Sequence, residues 1–162
     1  MVERGDWLTP HFNYAVRFQK PILFYWVVAA AYKVAGVGPA AARFGAALAG
    51  LGIALLTFAC GRRWYDDATG LLGGAIVATS FGCATAGRMS LPDLPLAFFI
   101  SLSTWAALVA ICDRPTRPRR WWLLAAASTG LGFLTKGPLA LALPALILVV
   151  PFWLERGWRR VR

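Results

Sequence analysis

An all-α fold, specifically a polytopic transmembrane helical bundle, is what this sequence predicts, on three observations. Hydrophobic residues fill 59% of the 162 positions and the mean hydropathy is +0.59, far too apolar for a water-soluble domain of this size. The apolar residues fall into long runs, several of them near the ~20 residues a helix needs to cross a bilayer. Eight Trp, ten Phe and four Tyr supply the side chains that anchor at membrane interfaces. The net charge of +10 does not point to nucleic acid. The arginines cluster in short loops between apolar runs, where a topology signal belongs.

Residues 5–21 include Gly5, Pro10, Asn13 and Pro21 without a sustained period, and read as loop and short turns. The single histidine, His11, has no second His, Cys or carboxylate at ligand spacing and reads as a loop or interface residue. Residues 22–37 are apolar and aromatic, but the run is short for a span and contains Lys33. It fits a helix lying along the membrane surface, with a crossing segment as the alternative. Residues 1–39 thus form part of a loop with an interfacial helix. Five transmembrane helices follow, at about 40–60, 68–87, 94–112, 121–135 and 139–153, and a basic end at 154–162 closes the chain.

Gly45, Ala49 and Gly52 in the first span, and Gly70, Gly73 and Gly74 in the second, offer faces for close helix approach. Cys60, Cys83 and Cys112 sit singly, without metal-ligand or disulfide spacing, and read as packing residues. The polar opening Met1-Val-Glu-Arg-Gly-Asp6 has no apolar core of a signal peptide behind it. The chain reads as truncated at both ends.

The positive-inside rule orients the bundle. With five spans, the loops at 61–67 and 113–120 and the end at 154–162 share one side, which holds ten of the seventeen basic residues. That side is expected to be the cytoplasm. The short loops at 88–93 and 136–138 then face outward with Arg88, Asp93 and Lys136. The loop at 5–21, with Arg17 and Lys20, joins them if residues 22–37 do not cross.

Four cations near one membrane face, with Asp93 as the acid beside the later loops, form the candidate site. Ionisable groups at membrane depth are costly and point to function. Lys136 precedes Gly137-Pro138, and proline favours the first turn of a helix; the free N–H groups there suit a phosphate. A lysine snorkelling from a helix end is the plainer alternative. Asp93, in Ser90-Leu-Pro-Asp-Leu-Pro95, could equally complement a helix dipole. Arg88 could pair with Asp93 or with an anionic ligand. Asp66 and Asp67 are expected to offset Arg62 and Arg63.

Several motifs together resemble a known family. Gly5-Asp-Trp-Leu-Thr-Pro-His11 followed by Arg17-Phe-Gln-Lys20-Pro21-Ile-Leu-Phe-Tyr-Trp26 resembles the first extracytoplasmic loop of the family 39-like membrane glycosyltransferases. These include the aminoarabinose transferases that modify lipid A and the protein O-mannosyltransferases. Ala42-Arg43, Gly61-Arg62-Arg63, residues 89–95 and Gly132-Phe-Leu-Thr-Lys136-Gly137-Pro138 follow in the family's order.

The resemblance implies a GT-C membrane enzyme that moves a sugar from a polyprenyl-phosphate carrier to a lipid or protein acceptor on the outer side of the cell (inner) membrane. It implies that Lys20, Lys136 and Arg88 bind the lipid phosphate and that Asp93 is a supporting acid. It assigns no metal ligand, and leaves a divalent ion open. The family's principal catalytic aspartate lies upstream of Gly5 and is absent from this chain, and Gln19 stands where several members carry an acid. The chain is therefore expected to be inactive alone. The alternative from another class is a piece of an anionic-lipid transporter or flippase; a structural subunit whose charges only set topology is a third reading.

Overall fold

The computed structural model describes residues 21–113 and 115–149, together with the backbone of two short strands. Those strands, β1 (His11–Phe12) and β2 (Ala15–Val16), pair antiparallel with His11 opposite Val16. The rest of the described chain is helical: α1 (Ile22–Ala35), α2 (Pro39–Trp64), α3 (Asp67–Thr79), α4 (Phe81–Gly87), α5 (Asp93–Cys112), α6 (Pro118–Lys136) and α7 (Leu139–Val149). This is the all-α bundle expected.

Two of these helices are long and apolar enough to cross a membrane, α2 with 26 residues and α5 with 20. The count rises to three if α3 and α4 form one broken span. α1 has 14 residues, a rise of about 21 Å at 1.5 Å per residue, short of the ~30 Å hydrocarbon core.

The helix expected over 68–87 is broken at Ser80, where α3 and α4 bend by 54°. Ser80 serves both ends. Its backbone is extended, its hydroxyl donates to the Val77 carbonyl at 2.8 Å, and the same oxygen accepts from Cys83 N–H at 3.3 Å. One serine thus closes α3 and caps α4.

Small residues face inward and large ones outward. Ala46, Ala49, Gly50 and Ala54 of α2 and Ala106, Ala107 and Ala110 of α5 are buried, while Leu48, Leu51, Leu55, Leu71, Ile76 and Phe81 are exposed. In water such a surface would drive association. In lipid, where tails are as apolar as leucine, helices associate through small residues that let backbones approach. The chain is a membrane protein by this distribution.

α2 and α3 approach backbone to backbone. A Cβ on Gly70 would fall 2.7 Å from both Arg62 N and Phe58 O, and one on Gly61 would fall 2.7 Å from Gly70 Cα. Gly74 faces the Ala54 carbonyl across the same seam. Gly45 receives Val27 of α1 and Gly52 receives the Phe98 ring of α5. α6 packs antiparallel on α5, with Ser103 Oγ donating to the Ala125 carbonyl at 3.1 Å and lying 2.6 Å from Thr129 Oγ1.

The arginine-rich end is tied by side chains. Asp113 accepts from Arg63 Nε at 2.5 Å and from Trp64 Nε1 at 3.3 Å. The Arg63 guanidinium also lies 5.5 Å from the centre of the Trp121 ring, which meets Trp105 edge-on. Arg63 holds the Asp113 carboxyl below its ordinary pKa of 3.8. Arg62 pairs with Asp67 at 2.8 Å, whereas Asp66 accepts from Thr69 N–H at 2.6 Å and caps α3. The expectation that both aspartates offset the two arginines therefore holds for one pair only. Asp66 is used as a cap, and that bond lowers its pKa.

Candidate functional site

The opposite end of the bundle gathers the start of α2, the end of α4, the start of α5 and the end of α6. Pro92 is fully buried and fixes the chain as it enters α5, leaving Asp93 in the first turn with its side chain half-exposed. Lys136 is the last residue of α6. Gly137 follows with φ +83°, a left-handed conformation that suits glycine, and its N–H closes onto the Phe133 carbonyl at 2.8 Å. Lys136 therefore sits at the C-terminus of α6, not at the start of α7.

Lys136 Nζ donates to Asp93 Oδ1. The pair joins a helix N-terminus carrying an acid to a helix C-terminus carrying a base, each complementary to its own dipole. Side-chain exposures of 41% for Lys136 and 52% for Asp93 put the pair in the class that contributes only ~0.2–1 kcal/mol in water. An ammonium has three donors and a carboxylate about four lone-pair sites, so both groups keep capacity for a ligand.

Thr135, beside Lys136, points inward. It is 1% exposed and its hydroxyl donates to the Gly132 carbonyl at 2.6 Å. It also lines a groove of ≈ 460 Å³ between α1, α2, α5 and α6, with Phe24, Leu48, Leu55, Phe98 and Leu131. Pro95, two residues from Asp93, lines it as well. The groove is almost wholly apolar and falls within the usual size of small-molecule sites. An apolar groove lined by Pro95 and Thr135 thus lies near a cation and an acid carried by the same helix ends, an arrangement suited to an amphiphile with a hydrocarbon tail and an anionic head.

The structure brings together Asp93 and Lys136 of the expected residues. Arg88 caps the C-terminus of α4 and is exposed; Asp93 pairs with Lys136 and not with it. Lys20 and Arg17 lie outside the described residues. Among the described residues no three His, Cys, Asp or Glu side chains converge as metal ligands. Sequence reasoning missed the groove. Its lining comes from four helices, and no single motif encodes it.

Comparison with known proteins agrees with this fold. The family model of dolichyl-phosphate-mannose-protein mannosyltransferases matches residues 19–162. An uncharacterised protein of Aquifex aeolicus is 37% identical over 90% of this chain and 29% of its own length. An undecaprenyl phosphate-α-4-amino-4-deoxy-L-arabinose arabinosyl transferase of Pseudomonas aeruginosa (strain LESB58) is 34% identical over 99% of this chain and 30% of its own. The crystal structure of ArnT from Cupriavidus metallidurans in the apo state superposes with a TM-score of 0.91 at 30% identity, covering 99% of this chain and 31% of that one. ArnT bound to undecaprenyl phosphate gives 0.90 at 31% identity, covering 98% and 30%. The chain spans about 30% of the length of the curated relatives it matches. With its family match, its relatives and its GT-C fold in agreement, this chain belongs to the dolichyl-phosphate-mannose-protein mannosyltransferase family of membrane glycosyltransferases.

Proposed function

We propose that this chain forms the carrier-binding part of a glycosyltransferase that moves a sugar from polyprenyl phosphate to an acceptor on the outer side of the inner membrane. A lipid of the lipid A type is the favoured acceptor, and a protein hydroxyl the other. The observation that carries the reading is the Asp93–Lys136 pair on the same helix ends, through Pro95 and Thr135, that line the apolar groove. The similarity to ArnT bound to undecaprenyl phosphate supports it.

The chemistry follows from the donor. An acceptor oxygen forms the new bond at the anomeric carbon as the bond to the carrier's phosphate oxygen breaks; the acceptor's proton passes to a carboxylate base, and the departing lipid phosphate gains negative charge. Lys136 and Lys20 stabilise that charge, acting where it develops. The isoprenoid tail lies in the groove. Asp93 orients the sugar or the acceptor, in the role of a supporting acid.

The test is binding of undecaprenyl phosphate to the full chain in nanodiscs of neutral lipid. A K136Q variant is expected to bind about tenfold more weakly, the cost of one charge-assisted hydrogen bond. K20Q is expected to act in the same direction. Unchanged affinity in both variants would sink the reading.

A further inference from the structure

The end of the bundle away from Asp93 and Lys136 carries a patch of arginines. Arg117 stands at the cap position of α6, and Arg119 and Arg120 follow Pro118 in its first turn, which holds no acid. α3 and α5, by contrast, begin on Asp67 and Asp93. Arg120 N–H donates to the Arg117 carbonyl at 3.3 Å, so these two arginines stand one turn apart. All three are exposed, and among the described residues none takes part in an ion pair.

The neighbouring cations are matched within the protein. Arg63 is held by Asp113 and the Trp121 ring, and Arg62 by Asp67. Through Trp121, Arg63 also sets the start of α6 level with the end of α2. That level carries exposed aromatic side chains, Trp64 and Tyr65 beside α2 and Trp122 in α6. Trp and Tyr rings settle at the headgroup depth of a bilayer. The three arginines, immediately before Trp121 and Trp122, stand at the same depth.

Topology does not account for their place. The positive-inside bias asks for arginine on this side of the membrane, but not at the start of a helix, where a cation opposes the dipole. Three such charges within one turn favour anions beside them. At headgroup depth those anions are lipid phosphates, and each basic residue near an anionic membrane surface adds to the attraction. A soluble polyanion fits less well, because the patch lies within the aromatic belt and not on an extension into water.

We propose that Arg117, Arg119 and Arg120 form, with Trp122, a docking surface for the anionic phospholipid headgroups of the leaflet at this end. The surface is independent of the carrier site, which lies at the other end of the bundle. Bound headgroups supply the negative charge that the start of α6 lacks, so anionic lipid stabilises the fold.

The experiment is thermal unfolding of the full chain in nanodiscs of phosphatidylcholine, alone and with part of it replaced by phosphatidylglycerol. Wild type is expected to gain about 4 °C or more from phosphatidylglycerol at low salt, and to lose most of that gain at high salt. R117Q/R119Q/R120Q is expected to show no gain, and R117K/R119K/R120K to keep most of it. R62Q/D67N, which removes a matched pair at the same end, is expected to keep the full gain. A glutamine variant that gains as much as wild type would overturn the proposal. So would a wild-type gain that salt does not reduce, a readout that needs no variant to fold. Stabilisation by soluble inorganic polyphosphate, with none from phosphatidylglycerol, would assign the patch to a soluble polyanion and overturn it as well.

Discussion

Lys136, the last residue of α6, donates to the carboxylate of Asp93, at the start of α5, so a single charge pair joins the two helix ends that meet there. The pair is separated by 43 positions in the chain and lies near Pro95 and Thr135, which line the apolar groove. Its exposure makes it a weak clamp and an accessible one, the combination a ligand site needs.

A clamp and a ligand site respond differently to a charge swap. D93K/K136D keeps an ion pair but sets each charge against its helix dipole, so it is expected to cost only about 1–2 kcal/mol of stability. It also places a carboxylate where the phosphate cation stood. Undecaprenyl phosphate binding is expected to fall about tenfold or more, read in nanodiscs alongside a thermal melt. Retained binding would reduce the pair to a clamp.

The α2–α3 seam predicts opposite outcomes at two glycines. G70A sets a methyl group 2.7 Å from the backbone of Arg62 and Phe58, and neither backbone can move without separating the helices. It is expected to cost about 1–3 kcal/mol. Gly130 of α6 has nothing within 4 Å of its added Cβ, so G130A is expected to leave stability unchanged or raise it by about 0.5–1 kcal/mol. Unfolding in detergent compares the two.

Ser80 is the hinge of the broken α3–α4 pair. S80A removes the oxygen that accepts from Cys83 N–H and is expected to cost about 0.5–2 kcal/mol. S80T, which keeps the hydroxyl, is expected to cost less. Equal melts for S80A and wild type would show that packing alone sets the bend.

Asp113 gives the arginine-rich end a pH dependence with a definite sign. Its carboxyl is held below 3.8, first by the hydrogen bond from Arg63. A carboxyl with a depressed folded pKa contributes stability that is fully present above its unfolded pKa and is lost as pH falls through the folded value. The difference in melting temperature between wild type and D113N is therefore expected to be constant at neutral pH and to shrink below about pH 4. A difference that grew on acidification would contradict the assigned bond.

Much of this was legible in the chain. Composition and run lengths gave an all-α membrane bundle, because lipid admits few other spanning structures. The glycine face at Gly70 and Gly74 was legible too, since small residues at helical spacing have one main use in a bilayer. Asp93 and Lys136 could each be singled out from a local motif, but their pairing could not, because it depends on α5 and α6 running antiparallel in one register. The break at Ser80 was hidden for a different reason. Serine within an apolar run is common, and only the extended backbone turns its hydroxyl into a cap. Asp113 looked like one more loop residue until the fold brought Arg63 and Trp64 to it.

Transfer on the outer side requires Asp93 and Lys136 to lie at the outer face of the membrane. In a cysteine-free background expressed in cells, single cysteines at Ser90 and Pro138 flank the pair, and one at Thr116 marks the arginine-rich end. A membrane-impermeant thiol reagent applied to intact cells is expected to label positions 90 and 138 and to spare 116. Labelling at 116, with 90 and 138 protected, would put the pair on the cytoplasmic face and contradict transfer on the outer side.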